Sequence, residues 1–146
     1  MTSGQGPPLC AFCAHRVGDA QITTLCDQKF HTRIPILVHG YDYPVPDGRG
    51  FWGGWPFPGP WLQPGFYEKN FTDLQRMTDM MRDIMDRFNT MVAGLSALPG
   101  FAHVRYVNLR GTLSDKLTDY KQWWDNELHP NKQGFEACAK KFAAAI

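Results

Sequence analysis

The segment "WWDNELHPNKQGF" near the end of the chain combines the residue types that acid–base chemistry needs. Asp125, Asn126 and Glu127 lie within four residues of His129, and Pro130 follows at once. A neighbouring oxygen that binds one imidazole nitrogen fixes which of the two ring nitrogens carries the proton. The segment therefore predicts half of an acid–base site. The alternative is the polar start of a terminal helix, where carboxylates favour the positive end of the helix dipole.

A second group of candidate ligands lies in the first 33 residues. Cys10, Cys13, Cys26 and His31 follow the spacing C-x2-C-x12-C-x4-H, which is within the range of small tetrahedral zinc sites. Bound metal would order this segment, because metal binding supplies folding free energy. The alternative is a set of ordinary thiols in an irregular or flexible segment, since no helical or strand periodicity is evident there.

Composition limits the classes of protein to which the chain can belong. With 146 residues, 43% hydrophobic and 20% charged, it has the size and balance of one globular domain. A net charge of +1 without a Lys/Arg run argues against nucleic acid as a partner. No apolar stretch reaches the roughly 20 residues of a membrane helix, and no signal peptide is visible. We therefore expect a cytoplasmic protein with reduced cysteines and no membrane span.

The clearest predicted strand lies within "RIPILVHGYDYP". Its apolar residues are Ile34, Ile36, Leu37 and Val38. A short continuous apolar run of this kind is typical of a strand that is buried on both faces of a parallel sheet. Tyr41 and Asp42 follow where the chain leaves the strand's carboxyl end, which is where open α/β sheets bind ligands. Both residues are therefore predicted to bind substrate.

Residues 44–66 are rich in glycine, proline and aromatic residues and are predicted to form a packed loop. Trp52 and Trp55 within it are candidates for an aromatic wall that contacts an apolar substrate. The alternative is a loop that only covers the core.

A long amphipathic helix is predicted from about residue 70 to 95, because its apolar residues recur at spacings of three and four. Asn70 or Thr72 is predicted to cap its start, and its methionine stripe is interpreted as core packing. A strand over 104–109 and a final helix over 131–145 follow. The order strand, helix, strand, helix predicts a parallel crossover and an α/β fold.

Three segments together resemble the C-terminal half of the SGNH (GDSL-type) serine hydrolases: "ILVHGYDYPVPDGRG", "VRYVNL" and "WWDNELHPNKQGF". The resemblance covers about residues 34–145 and implies an α/β, flavodoxin-like three-layer sandwich. Only its C-terminal strand-helix-strand-helix portion is expected here, as a domain over 34–146 that follows the segment 1–33. The implied activity is hydrolysis of a small-molecule ester or acyl substrate without a cofactor.

The resemblance also implies site residues. His129 matches the histidine that serves as general base. The carboxylate that usually precedes this histidine by three residues is replaced by Asn126. Asp125 or Glu127 could take its place, and Glu127 ranks slightly higher because it belongs to the E-L-H-P signature.

The nucleophile motif of the family is not recognisable. "VGDAQ" has Ala20 where a serine is needed, and Ser96 in "GLSAL" matches the nucleophile-elbow pattern only in part. An α/β-hydrolase interpretation, with His39 and Gly40 in an oxyanion loop, has the same gap. We therefore expect a chain that is inactive alone. Two alternatives without catalysis remain: a small zinc-binding module, and a partner that completes its sheet, for example as a homodimer, through an exposed edge near 34–38.

Overall fold

Helices and a two-stranded parallel sheet make up the fold of the computed structural model, which describes residues 11–51 and 58–146, with side chains from residue 21 onward. Among these residues the chain is mixed α/β, as the order of predicted elements indicates. The helices are α1 (Ala11–Phe30), α2 (Gln63–Tyr67), α3 (Leu74–Ala93) and α4 (Lys132–Ala143), and the strands are β1 (Ile36–His39) and β2 (Val104–Val107). No helix in this described part is long and apolar enough to cross a membrane.

The long helix α1 occupies a region that the sequence predicts to be irregular. That prediction differs from the structure because the helix has almost no amphipathic pattern, so periodicity gives no signal. Ile22, Leu25 and Phe30 accordingly remain exposed on it. The helix ends at Phe30, and the next residue, His31, stops its last turn with a left-handed backbone (φ 53°) and an N–H bond to the carbonyl of Asp27 at 2.9 Å.

The sheet pairs β1 with β2 in parallel, with Ile36 opposite Val104 and His39 opposite Val107. This pairing confirms the parallel arrangement expected from the sequence. The residues Ile36, Leu37 and Val38 are only half-buried, however, whereas the sequence predicts burial on both faces. Since the described sheet consists of two strands, β1 is itself an edge strand and its side chains are covered on fewer sides.

Helix α3 contributes buried side chains to the core. Met77, Met81 and Val92 are buried on it, which confirms that the methionine stripe is core packing. Its N-cap is Asp73, whose side chain accepts a hydrogen bond from the Arg76 N–H at 2.7 Å. The predicted caps Asn70 and Thr72 are therefore wrong. Asn70 instead has a left-handed backbone (φ 59°) in the turn after α2.

The buried side-chain amide of Asn89 links α3 to the end of β1 by hydrogen bonds. Asn89 is fully buried and donates to the carbonyls of Tyr41 and Met85, and its Oδ1 accepts from the Tyr106 hydroxyl. Gly40 packs directly against this amide, and a Cβ at Gly40 would lie 1.9 Å from Asn89 Oδ1. The glycine of "HGYD" is thus required by close packing, which gives it a role without an oxyanion loop.

We predict that Gly40→Ala lowers the free energy of unfolding by about 1–3 kcal/mol, because the added methyl group overlaps an amide that has no room to move. Urea unfolding followed by circular dichroism measures this change. Gly65→Ala is the matched control, since nothing lies within 4 Å of a Cβ at this helical position. Equal unfolding midpoints for the two variants would contradict the tight contact at Asn89.

Candidate active site

The loop that carries His129 closes on itself between Trp123 and Asn131. The Asn131 N–H donates to the Trp123 carbonyl at 2.9 Å, and the Asp125 N–H donates to the His129 carbonyl at 2.9 Å. Asn131 then caps α4 by accepting from the Gly134 N–H at 3.0 Å. Gly134 must be a glycine here, because a Cβ would lie 2.5 Å from the Trp123 carbonyl oxygen. The loop geometry is therefore fixed at both ends.

The acidic residues of this loop do not belong to the first turn of α4, which contains no acidic residue. The helix begins at Lys132, well after Asp125 and Glu127. The helix-dipole explanation of the acidic cluster therefore does not hold, and the side chains of the loop have other roles.

Asn126 holds the imidazole of His129. Its Oδ1 accepts from the N–H groups of Leu128 and His129, both at 2.9 Å, and lies 3.0 Å from His129 Nδ1. The two backbone donors identify the acceptor oxygen, so Nδ1 must carry a proton to bind it. Nε2 is then the nitrogen with the free lone pair in the neutral ring. Asn126 thus sets the tautomer that a general base needs.

Glu127 is not a partner of the imidazole. It is fully buried, and its Oε1 accepts from the N–H groups of Gly48 and Gln63 while Oε2 accepts from those of Trp61 and Leu62. The four distances lie between 2.7 and 3.0 Å. The preference for Glu127 as the orienting acid is therefore corrected: it fastens the aromatic loop to the histidine loop. The Asp125 side chain is exposed, and Arg49 binds only its carbonyl, at 3.1 Å.

An apolar cavity of about 360 Å³ opens beside His129. Phe135, Cys138 and Phe142 line it from α4, and Leu113, Leu128 and Pro130 line it from the loops. His39 lies at its edge, with its ring 5.3 Å from that of Phe142. The three α4 residues share one face, as the sequence predicts, and this face borders the cavity.

Tyr41 and Asp42, the predicted substrate-binding residues, also line this cavity. Asp42 is buried and accepts from the N–H groups of Gly111, Leu113 and Tyr43 at 2.7–2.9 Å. Burial raises the pKa of Asp42, and these N–H groups oppose the rise. Because both carboxylate oxygens are engaged by the backbone, Asp42 fixes the 111–113 turn. Burial, and then nearby Cys138 and Asp42, raise the pKa of Tyr41 to about 12, so its phenol stays protonated.

None of the described residues that line the cavity is a serine or threonine. The Cys138 thiol is present, but burial and then Asp42 raise its pKa, which disfavours the nucleophilic thiolate. Ser96 lies in the turn after α3, where its hydroxyl donates to the Ala93 carbonyl. The chain next enters β2 at its amino end, whereas His129 shares the cavity with the carboxyl end of β1. Ser96 is therefore at the wrong end of the sheet to serve His129.

Two aromatic side chains contact the imidazole. The ring centroid of Trp61 lies 5.8 Å from that of His129, and the centroid of Phe51 lies 6.1 Å from it. Both aromatic residues belong to the predicted packed loop, in which the sequence predicts Trp52 and Trp55 as the substrate-contacting residues. The Trp61 N–H binds Glu127, and the local sequence does not predict this contact. Trp52 and Trp55 lie outside the described residues.

The predicted zinc ligands are only partly described. Cys10 and the side chain of Cys13 lie outside the described residues, Cys26 is half-buried in α1, and His31 ends this helix. Among the side chains that the structure describes, no group of three or more His, Cys, Asp or Glu residues is placed to hold a metal ion.

Comparison of the chain with protein-family models, with curated proteins and with solved structures gives no match.

We predict that Glu127→Gln lowers the free energy of unfolding by about 1–3 kcal/mol, because its amide nitrogen would face backbone N–H groups with no acceptor. Thermal or urea unfolding measures the loss, and the contact of Trp61 with His129 should weaken with it. Asp125→Asn is the matched control, since it makes the same chemical change two residues away on an exposed side chain. A stability loss of similar size in both variants would contradict the assignment of Glu127 as the fastening residue.

Proposed function

We propose that His129 is the general base of an SGNH-type ester or acyl hydrolase site, in an α/β domain of the flavodoxin-like kind. The observation that carries the proposal is the 3.0 Å contact between His129 Nδ1 and Asn126 Oδ1. This contact assigns the proton to Nδ1 and leaves Nε2 as the nitrogen that can accept one. The resemblance of "ELHP" and its surroundings to that family supports the same role.

The surroundings of the imidazole suit acyl transfer. The apolar cavity beside it can receive the acyl part of an ester, since its lining is mostly aliphatic and aromatic. In the family that the chain resembles the nucleophile is a serine hydroxyl, and none of the described residues that line the cavity supplies one. Nε2 removes the proton of this hydroxyl as the hydroxyl attacks the carbonyl carbon, and returns it to the leaving oxygen.

Asn126 does one part of the work that a carboxylate does at this position. Its amide oxygen orients the ring and fixes the tautomer, but it places no negative charge beside the imidazolium that forms during transfer. Asn126 Nδ2 is buried, and no partner for it is found in the described part of the chain. A carboxylate oxygen in place of this NH₂ group would therefore break no described hydrogen bond.

A short activated ester such as 4-nitrophenyl acetate tests the role of His129: we predict that any turnover by the chain falls by at least about 10²-fold in His129→Ala. His31→Ala is the matched control, because His31 is exposed at the end of α1. A fluorophosphonate probe followed by peptide mapping would then identify the serine. Turnover that survives in His129→Ala would contradict the proposal, and absent turnover would leave the site as the remnant of a hydrolase.

Asn126→Asp in the same assay separates orientation from charge. It keeps an oxygen for both backbone donors and for Nδ1, and adds a charge that stabilises the imidazolium. We expect turnover to rise by on the order of tenfold or more. A slower variant would indicate that Asn126 serves the loop rather than the proton transfer.

The edge of β1 favours a second candidate function, the completion of the sheet by another chain. The Ile36 N–H donates to the His103 carbonyl at 3.1 Å, so the peptide groups of Leu37, one residue on, point away from β2. A sheet of two strands with four residues each is marginally stable by itself. A further strand paired along Leu37 would add hydrogen bonds and cover the half-buried side chains of β1.

For this second candidate we predict a dimer in sedimentation velocity over a range of protein concentrations. Leu37→Pro should shift the dimer to monomer, because it removes an outward N–H while leaving the bond of Ile36 to β2 in place. A wild-type chain that stays monomeric and folded at all concentrations would contradict pairing with a second copy.

A further inference from the structure

The imidazole of His129 lies next to two different groups of side chains. One group lines the apolar cavity, whose lining includes His129 but neither Trp61 nor Phe51. These two rings contact the same imidazole edge to face, at interplanar angles of 69° and 88°. Each of the two aromatic residues is 38% exposed. A group bound at the imidazole therefore has both an apolar cavity and a pair of aromatic rings within reach.

The position of Trp61 is fixed even though its ring is open to solvent. Its N–H donates to Glu127 Oε2 at 2.7 Å, which ties its backbone to the histidine loop. Gly59 has a positive φ of 96°, and a Cβ there would lie 2.8 Å from a Trp61 ring carbon and 2.8 Å from the Gly50 Cα. The Phe51 N–H donates to the Pro58 carbonyl at 2.8 Å. A rigid pair of exposed aromatic rings is what a binding site for a planar group requires.

The chemistry of ester hydrolysis decides which part of the substrate meets this pair. The imidazolium must return its proton to the leaving oxygen, so this oxygen lies within hydrogen-bond reach of the ring. The group attached to the leaving oxygen then extends from the imidazole, and both aromatic rings lie about 6 Å from its centre. The acyl chain leaves the carbonyl carbon in another direction and can enter the cavity.

We propose that Trp61 and Phe51 form a subsite for an aromatic leaving group, so that the substrate class is an aryl ester with an apolar acyl chain. The inference rests on the proposed function of His129. In the reaction, the bond between the acyl carbon and the aryl oxygen breaks and the phenolic oxygen takes a proton. Water supplies the hydroxyl of the carboxylic acid, so that one ester and one water give one acid and one phenol.

Equilibrium binding of phenol and cyclohexanol tests the subsite without any turnover. The two probes are similar in size, and only phenol has a planar π face. We expect wild type to bind phenol about three- to tenfold more tightly than cyclohexanol, the range that aromatic contacts add beyond apolar area. The backbone N–H signals of residues 61–63 in two-dimensional NMR, which every variant retains, report the binding.

Variants of Trp61 and its neighbours make the test specific. Trp61→Leu should abolish the preference for phenol, whereas Trp61→Phe should keep part of it. Gly59→Ala should reduce it by displacing the indole ring. Tyr67→Leu removes an exposed aromatic ring elsewhere and should leave the preference unchanged. Equal affinity for both probes in wild type, or a preference that persists in Trp61→Leu, would overturn the subsite.

Binding and hydrolysis fail independently in these assays. A preference for phenol in a chain whose turnover survives in His129→Ala would refute the hydrolase proposal while retaining an aromatic-binding site. Turnover dependent on His129 in a chain that binds phenol and cyclohexanol equally would refute only the aryl subsite. Rates with phenyl acetate and cyclohexyl acetate would then differ by no more than their intrinsic reactivities.

Discussion

The site depends on one buried carboxylate. Glu127 brings its charge out of water, and this is tolerated because four backbone N–H groups bind its two oxygens. These donors come from Gly48 and from residues 61–63, both ends of the aromatic loop. Glu127 itself lies two residues before His129. A single side chain therefore determines how the aromatic loop lies against the histidine.

A second buried carboxylate that binds loop N–H groups lies at the cavity itself. Asp42 is buried after β1, and its carboxylate accepts N–H groups from the turn after β2. In both cases carboxylate oxygens accept hydrogen bonds from loop N–H groups that lie outside regular secondary structure and away from water. This helps to explain how a small sheet with long connections can hold a defined cavity. The acidic residues that look most reactive in the sequence are thus the ones that stabilise the loops.

In the proposed function, acid–base chemistry belongs to the exposed side chain of His129. His129 is open to solvent, and its orientation comes from the neutral Asn126, which is bound by two backbone N–H groups. The division of roles is physically consistent, since a group that must exchange protons needs access, whereas a group that fixes backbone needs burial. Trp61 and Phe51 lie between these extremes, with rigid backbones and partly open rings.

The sequence by itself determined the features that depend on neighbours along the chain. Apolar periodicity gave α3 and its buried Met77 and Met81, the continuous apolar run gave β1, and the element order gave parallel pairing with β2. The approach of Asn126 to His129 also belongs here, because the two lie three residues apart in a short loop. Helix α1 was not predicted, because a helix without an apolar face gives no periodic pattern of apolar residues in the sequence.

The tertiary structure alone decided the roles of the acidic residues and of the aromatic loop. Glu127 finds its backbone donors 64 to 79 residues away, and Asp42 finds Gly111 and Leu113 69 and 71 residues away. Residue type and local spacing do not specify partners at such separations, because these depend on the path that the folded chain takes. The same holds for Trp61 and Phe51, which are distant from His129 along the chain and contact it only in the folded structure.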